Sequence, residues 1–260
     1  MQFPYERYEK LDGPKVVYYP AGEETRARWL LQAIDKASEQ LAHLLGAPLP
    51  AMEIALVSVD DWSLAPRDEP EENNDLLPYW TDATSPSTLV VPVEIDPVFG
   101  EETPERLAFI LYHALTLAFL ESDPRPWPEE YPLWADEWQL KFAAVWLAHR
   151  LDGQQGLINK DLHAEYAEIF EPEPDGKTPV TIRGFDWFED TPAEDYLTYE
   201  LLLEQFAVDL LERYDASVLP RFLALYRTER TVLLSDDVTA MLAAALGSGS
   251  ADWLEELVYF

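Results

Sequence analysis

A single histidine lies in the middle of a strongly apolar stretch, LAFILYHALTLAFL, which spans residues 107–120. The run of apolar residues predicts a buried helix, with His113 near its centre and Thr116 about one turn further on. Histidine is a common metal ligand, so its neighbours at helical spacing decide what His113 can do. Metal-dependent hydrolysis from one helix requires a second histidine four residues later and a glutamate directly after the first. Those two positions hold Leu117 and Ala114.

A glutamate follows His113 after 24 residues, within a second segment that predicts a helix, YPLWADEWQLKFAA. In thermolysin-like zinc peptidases the third metal ligand is a glutamate at this spacing from the first histidine. The segment PLWADEW at 132–138 resembles the segment that carries this ligand, with Trp138 where glycine is usual. The chain is therefore similar to the gluzincin superfamily, and in particular to the small bacterial peptidase-MA-like proteins.

The resemblance extends over nearly the whole chain. Residues 18–46 and 52–62 resemble the helix and the strand that precede the active site in this superfamily. The segment at 198–215 resembles a later helix that often carries a tyrosine near its start, here Tyr199. Residues 241–258 resemble the closing helices.

The resemblance implies a metallopeptidase-like domain whose zinc site is incomplete. Only His113 and Glu137 remain of the family's two histidines and two glutamates, and catalytic zinc needs three protein ligands. We therefore expect a remnant site at His113, Ala114, Leu117, Glu137 and Tyr199, with no catalytic residue, no metal and no other cofactor. If a metal were held, His113 and Glu137 would be its ligands.

Two tryptophans next to Glu137 are candidate residues of the remnant cleft. Trp134 and Trp138 recur at helical spacing with Trp146, which is typical of residues in a helical core. By the resemblance, the ring of Trp138 would instead fill the former substrate cleft. Both interpretations are open at this point.

The roles of the two retained site residues also have ordinary structural explanations. His113 is interpreted as a core histidine that bonds a backbone carbonyl, Tyr112 or Glu137. Glu137 is expected to pair with Lys141, which stands at the favourable i, i+4 spacing, or to be solvated. A contact between His113 and Glu137 is the alternative that the resemblance suggests.

The other histidines and the most conspicuous acidic residues predict no site. His149 falls in the last turn of a predicted helix, where it suits the helix dipole. His43 and His163 have no ligand partner at helical spacing, so we expect both at the surface. Asp136 is expected to be solvated. The acidic loop at 68–75 lacks the ligand pattern of a calcium-binding loop.

Composition narrows the function classes. The 260 residues carry a formal net charge of −32 and no cysteine. The absence of cysteine excludes disulfides, thiolate metal sites and a cysteine nucleophile. The charge disfavours nucleic acid and anionic membranes as partners, and favours a basic peptide or protein segment. A solubility or high-salt adaptation of the surface is the alternative explanation. No signal-peptide pattern or membrane span is recognised, so a cytoplasmic protein is expected.

The order of elements predicts an α+β fold, with a small N-terminal sheet and a long helix followed by a mostly helical half. The predicted strands cover 15–19, 52–59 and 88–94. The predicted helices cover 24–45, 103–120, 132–150, 195–213, 218–226, 236–246 and 251–257. We predict a single domain, 1–260, with an α/β subregion at 1–100, a central two-helix region at 101–170 and a helical subregion at 171–260. Residues 171–179 are the best linker candidate.

Three functional hypotheses follow from these patterns. The favoured hypothesis is a catalytically inactive metallopeptidase-like protein that binds a peptide or protein segment through the remnant cleft. The second is an atypical zinc-dependent hydrolase that recruits other carboxylates, such as Asp136 or Glu121, to hold the metal. The third is a structural subunit of a larger assembly.

Overall fold

The structure is a computed structural model that describes residues 3–68, 75–96, 100–170, 180–187 and 191–260. The chain forms two compact units, Met1–Ser122 and Asp123–Phe260. A sheet lies in the first unit, and the described part of the second unit is helical. The predicted α+β class is therefore confirmed, while the predicted linker at 171–179 lies outside the described residues.

The first unit contains a mixed sheet of five strands in the order β1-β2-β3-β5-β4. The strands are β1 (Glu9–Leu11), β2 (Val17–Tyr19), β3 (Met52–Val57), β4 (Tyr79–Thr81) and β5 (Ser87–Pro92). The three inner strands run parallel, with Ile54 opposite Val17 on one side and Leu89 on the other. The two outer strands pair antiparallel and have only three residues each. Pro92 ends β5, a position at which proline's missing N–H does little harm to the sheet.

The helices of the first unit are α1 (Glu24–Leu45) and α2 (Pro104–Glu121). The buried apolar residues of α1 recur at spacings of three and four: Ala27, Leu30, Ile34, Ala37 and Leu41. Gly46 ends this helix with a left-handed backbone, φ 63°, which glycine adopts without strain. The side chain of Thr103 caps α2 by accepting a hydrogen bond from the backbone N–H of Arg106, 3.2 Å away.

The second unit is built from helices of very different lengths. These helices are α3 (Trp134–Leu151), α4 (Lys160–Glu165), α5 (Ala193–Arg213), α6 (Val218–Tyr226), α7 (Ser235–Leu246) and α8 (Ser250–Glu256). The short α4 is the one that the sequence patterns did not predict. Within the described ranges, no helix combines the length and the apolar character needed to cross a membrane.

Aromatic side chains fill the core of the second unit. Phe206 of α5 stacks on Phe260, with 4.8 Å between the ring centroids. Phe222 of α6 packs edge-on against Trp138, with a centroid distance of 4.9 Å. Trp134 and Trp138, one turn apart, place these contacts along one face of α3.

Candidate functional site

The histidine of the predicted remnant site lies near the middle of α2, in the first unit. His113 and Leu117 are half-buried, and Ala114 is buried. The methyl group of Ala114 cannot accept a proton from water, and the side chain of Leu117 has no lone pair with which to bind a metal. The residues around His113 on this helix therefore do not fit a catalytic zinc ion.

Glu137 lies in the first turn of α3, in the second unit, and is half-buried. His113 and Glu137 thus belong to different compact units. The predicted contact between them stays a prediction.

The two tryptophans of the candidate cleft lie in the core of the second unit. Trp134 is fully buried, and its indole Nε1 donates a hydrogen bond to Ser235 Oγ at 2.8 Å. Its ring also packs edge-on against Phe260, 5.2 Å between centroids. Trp138 is 1% exposed and packs against Phe222. Their helical spacing therefore corresponds to core packing within this unit.

Tyr199, on α5, is completely buried. Its ring stacks almost flat on Phe185, with centroids 4.2 Å apart and an angle of 14° between the planes. Its hydroxyl has no hydrogen-bond partner among the described residues. Burial raises the pKa of this hydroxyl, and the nearby carboxylates of Glu137, Glu200 and Asp136 raise the pKa further.

An ion pair joins α3 to α5 close to Tyr199. The ammonium of Lys141 lies 2.5 Å from the carboxylate of Glu200, and the two side chains are only 7% and 16% exposed. Removing one partner of such a shielded pair would leave the other charge buried and unpaired, which is strongly destabilising. The predicted pairing of Lys141 with Glu137 is a separate expectation that this contact does not test.

Asp136, which was expected to be solvated, is half-buried and bonded to other side chains. Its carboxyl group accepts hydrogen bonds from the hydroxyls of Tyr226, at 3.1 Å, and Tyr131. Burial raises the pKa of Asp136 to about 7, because it outweighs the opposing effects of the two phenols and of Arg227. A carboxyl group with this pKa can exchange a proton at neutral pH.

Aromatic rings and a buried arginine surround this carboxyl group. The guanidinium of Arg227 is 1% exposed and lies 3.5 Å from the ring centroid of Trp127. The rings of Trp127, Tyr131 and Tyr226 lie 5.9 to 6.1 Å apart, centroid to centroid. The guanidinium is therefore held by stacking on an aromatic face, a strong form of cation–π contact.

A fully buried carboxylate lies on α5, about one turn beyond Tyr199. Glu204 is 1% exposed and accepts hydrogen bonds from the backbone N–H groups of Ile158 and Asn159, at 2.5 and 3.0 Å. The side-chain amide of Asn159 donates a third bond at 2.6 Å. Burial tends to raise the pKa of Glu204, but His163 and these donors outweigh it, and the pKa is lowered.

His163 is one of the histidines that were expected at the surface, and that prediction is wrong. The residue is 7% exposed, and its Nε2 lies 3.6 Å from Glu204 Oε2. The other one, His43, is exposed as predicted. His149, at the end of α3, forms a 2.8 Å hydrogen bond with the carbonyl of Gly156, in the loop beyond the helix.

Sequence reasoning missed the buried role of Glu204, although a signal for it exists. This glutamate follows three leucines, 201–203, and precedes Phe206 and Ala207, all of them buried. A charged residue in such a run must be paired or hydrogen-bonded, because an isolated buried charge is very unfavourable. No comparable signal identifies its partners, which come from the loop before α4.

The arrangement of possible metal ligands and the comparisons with known proteins do not identify a function. In the part of the chain that the structure describes, no group of three or more histidine, aspartate or glutamate residues is placed to hold a metal ion. The chain matches no protein-family model, and no characterised protein matches it. The similarity to gluzincins thus stays a prediction that rests on the residues quoted above.

Proposed function

We propose that this protein is a catalytically inactive, metallopeptidase-like binding module that takes a basic peptide or protein segment in the cytoplasm. The observation that carries the proposal is the replacement of the base and the second ligand beside His113 by Ala114 and Leu117. Neither side chain can activate water or hold zinc, so hydrolysis of the gluzincin type has no machinery on α2.

The class of partner is inferred from charge. A formal charge of −32 on 260 residues produces a strongly negative potential, which attracts cationic ligands and speeds their association. This attraction is screened by salt, with a Debye length of about 8 Å at physiological ionic strength. Binding of the partner is therefore expected to weaken steeply as salt is added.

The first experiment is a binding measurement with matched peptides. Fluorescence anisotropy would compare a lysine- and arginine-rich peptide with a peptide of the same length in which those residues are replaced by glutamine. We expect binding of the basic peptide alone, with an affinity that falls as salt rises from 50 to 500 mM. Equal binding of the two peptides, or none, would contradict the proposal.

A second experiment separates binding from catalysis. The protein would be dialysed against trace zinc, analysed for metal by elemental mass spectrometry, and incubated with the basic peptide. We expect an intact peptide. Zinc-dependent cleavage that is lost in His113→Ala but kept in His43→Ala, a matched change of an exposed histidine on α1, would overturn the proposal and favour an atypical hydrolase.

A further inference from the structure

A short extended segment of the second unit, residues 232–234, carries two large apolar side chains in solvent. Val232 is 47% exposed, Leu233 is 6% exposed and Leu234 is 67% exposed, which is the alternation of a strand with one face in water. The backbone of Leu234 is extended, with φ −87° and ψ 163°. The side chains of Val232 and Leu234 therefore lie on one exposed face, and we call this segment the 232–234 edge.

The inner side of the 232–234 edge is paired with the loop before α3. Val232 forms a parallel bridge with Glu130, and the backbone N–H of Leu233 donates to the carbonyl of Glu130 at 2.8 Å. Successive residues of an extended segment direct their backbone polar groups to opposite sides, so those of Val232 face away from Glu130. Among the described residues, no hydrogen bond to the N–H or the carbonyl of Val232 is present. The outer side thus offers one donor and one acceptor to a further strand.

Contacts with α3 and α7 hold the 232–234 edge in position. The buried side chain of Leu233 anchors it, and the backbone N–H of Leu234 donates to the carboxylate of Asp237 at 2.9 Å. The next residue, Ser235, accepts a 2.8 Å hydrogen bond from the indole of Trp134. An edge that is already ordered in this way loses little conformational entropy when a partner binds.

Acidic residues surround the 232–234 edge. Residues 129–131 and 229–237 contain five carboxylates and a single basic side chain, that of Arg230. The guanidinium of Arg230 donates to two backbone carbonyls, at 2.9 and 2.6 Å. Glu130 is exposed, and as the bridge partner of Val232 it projects its side chain from the same face. This face therefore attracts a cationic segment and repels a second copy of the chain, whose formal charge is −32.

We propose that the 232–234 edge is the docking surface for an extended basic segment of a partner protein, which adds as a strand beside Val232. Hydrogen bonds to the backbone of Val232 hold the segment, and its apolar side chains pack on Val232 and Leu234. A lysine or arginine of the segment reaches Glu130, which lies two strand spacings away, about 9–10 Å. This docking surface rests on the proposed function, since its partner is the basic segment inferred there from charge.

The first test measures binding of synthetic peptides to the full chain by fluorescence anisotropy. The probe is KTVTVTK, which as a strand places two valines and two lysines on one face. QTVTVTQ lacks the charge, and KTSTSTK lacks the apolar side chains. N-methylation of the valine amides blocks antiparallel addition, and N-methylation of the threonine amides blocks parallel addition. We expect KTVTVTK and one of its two N-methylated forms to bind, and the other peptides to bind about tenfold more weakly or less.

Val232→Lys is the decisive variant, because it places a positive charge on the proposed docking surface. The matched control is Val258→Lys, a valine of the same unit that is 55% exposed, so both variants change the net charge equally. We expect Val232→Lys to weaken binding of KTVTVTK about tenfold or more, and Val258→Lys to stay within about twofold of the wild type. Glu130→Gln should weaken binding of KTVTVTK but not of QTVTVTQ.

Hydrogen exchange followed by NMR tests whether the peptide adds as a strand. The amide signal of Val232 is assigned by its loss in Val232→Lys. We expect this amide to exchange about tenfold more slowly, or slower still, in protein saturated with KTVTVTK. An unprotected Val232 amide in the saturated complex would overturn strand addition.

The outcomes separate this docking surface from the proposed function. If KTVTVTK binds the wild type and Val232→Lys equally, the proposed function stands and the docking surface is wrong. If QTVTVTQ binds as tightly as KTVTVTK and protects Val232, the edge binds peptides but the basic partner, and with it the proposed function, is wrong. Self-association in sedimentation velocity that Val232→Lys abolishes would assign the edge to a second copy and overturn the proposal.

Discussion

Asp136 is half-buried and Glu204 is fully buried, and their surroundings shift the pKa values of these two carboxyl groups in opposite directions. Glu204 accepts two backbone N–H bonds and an amide bond, and it faces an imidazole ring. Among the described residues, Asp136 accepts hydrogen bonds from two phenol hydroxyls, within a group of aromatic rings. The contrast shows that the number and strength of donors, more than burial itself, decide whether an enclosed carboxyl group stays ionised.

The two groups therefore affect stability at opposite ends of the pH scale. The lowered pKa of Glu204 stabilises the fold above its ordinary value of 4.5, and this stabilisation is lost as pH falls through the folded-state pKa. The raised pKa of Asp136 stabilises the fold fully below 3.8, and this stabilisation is lost as pH rises through about 7. Four variants test this difference between the two carboxyl groups.

The largest effect is expected for Glu204→Gln. An amide NH2 group would replace a carboxylate oxygen that accepts hydrogen bonds, so it would face the N–H donors of Ile158 and Asn159. The free energy of unfolding at pH 7 should therefore fall by about 2–4 kcal/mol. Urea denaturation followed by circular dichroism measures this change. The control is Glu212→Gln, an exposed position on the same helix, which should stay within about 0.5 kcal/mol of the wild type. Similar losses in the two variants would show that the donors around Glu204 contribute nothing.

Arg227→Met tests the surroundings of Asp136, where the guanidinium of Arg227 stacks on an aromatic ring. Loss of the guanidinium removes its stacking on Trp127 and should lower the free energy of unfolding by about 1–3 kcal/mol. It also removes a positive charge that lowers the pKa of Asp136, so this pKa should rise above its value of about 7. A 13C NMR titration of aspartate carboxyl carbons measures the pKa. An unchanged pKa, or an equal rise in the exposed-residue control Arg230→Met, would contradict the assignment.

Asp136→Asn tests how the ionisation of Asp136 at higher pH affects the stability of the fold. The variant resembles the protonated carboxyl group at every pH, so it avoids the penalty of ionising Asp136 in the fold. The stability of the variant relative to the wild type should therefore increase by about 1–3 kcal/mol between pH 5 and pH 9. Denaturation at a series of pH values, with the exposed Glu165→Gln as control, gives this difference. A flat difference would mean that Asp136 titrates alike in the folded and unfolded chain.

The smallest effect is expected for Tyr199→Phe. Since no hydrogen bond of the described structure is lost, stability should change by less than about 1 kcal/mol, and removal of an unsatisfied hydroxyl favours a gain. Tyr226→Phe is the matched change, because it removes a phenol that donates to Asp136. Thermal melting of the two variants measures the difference. A larger loss for Tyr199→Phe than for Tyr226→Phe would reveal a bound partner of the Tyr199 hydroxyl.

The fold was predictable where a pattern continued over several turns. Helix α1 begins and ends where its apolar spacing and Gly46 predict, at Glu24 and Leu45. The same holds for α6, Val218–Tyr226. By contrast, the three-residue strands β1 and β4 were not predicted. The equally short β2 was predicted, because it lies in the run VVYY of β-branched and aromatic residues.

The candidate site was less predictable because its partners are distant in sequence. Asp136 bonds a tyrosine 90 residues further on, and Glu204 bonds a backbone group 46 residues earlier. Helical spacing correctly indicated that Trp134 and Trp138 are core residues, since that depends on the periodicity of one helix. It could not indicate which charged neighbours are enclosed, since that depends on how several helices pack.

The short outer strands of the sheet have a consequence for self-association. In the part of the chain that the structure describes, the edges of the sheet are β1 and β4, and each offers three residues of backbone to a strand from another molecule. Short edge strands are a common protection against edge-to-edge growth of sheets and amyloid-like stacking. The longer, β-branched strands β3 and β5, which would template such growth best, have a partner on both sides.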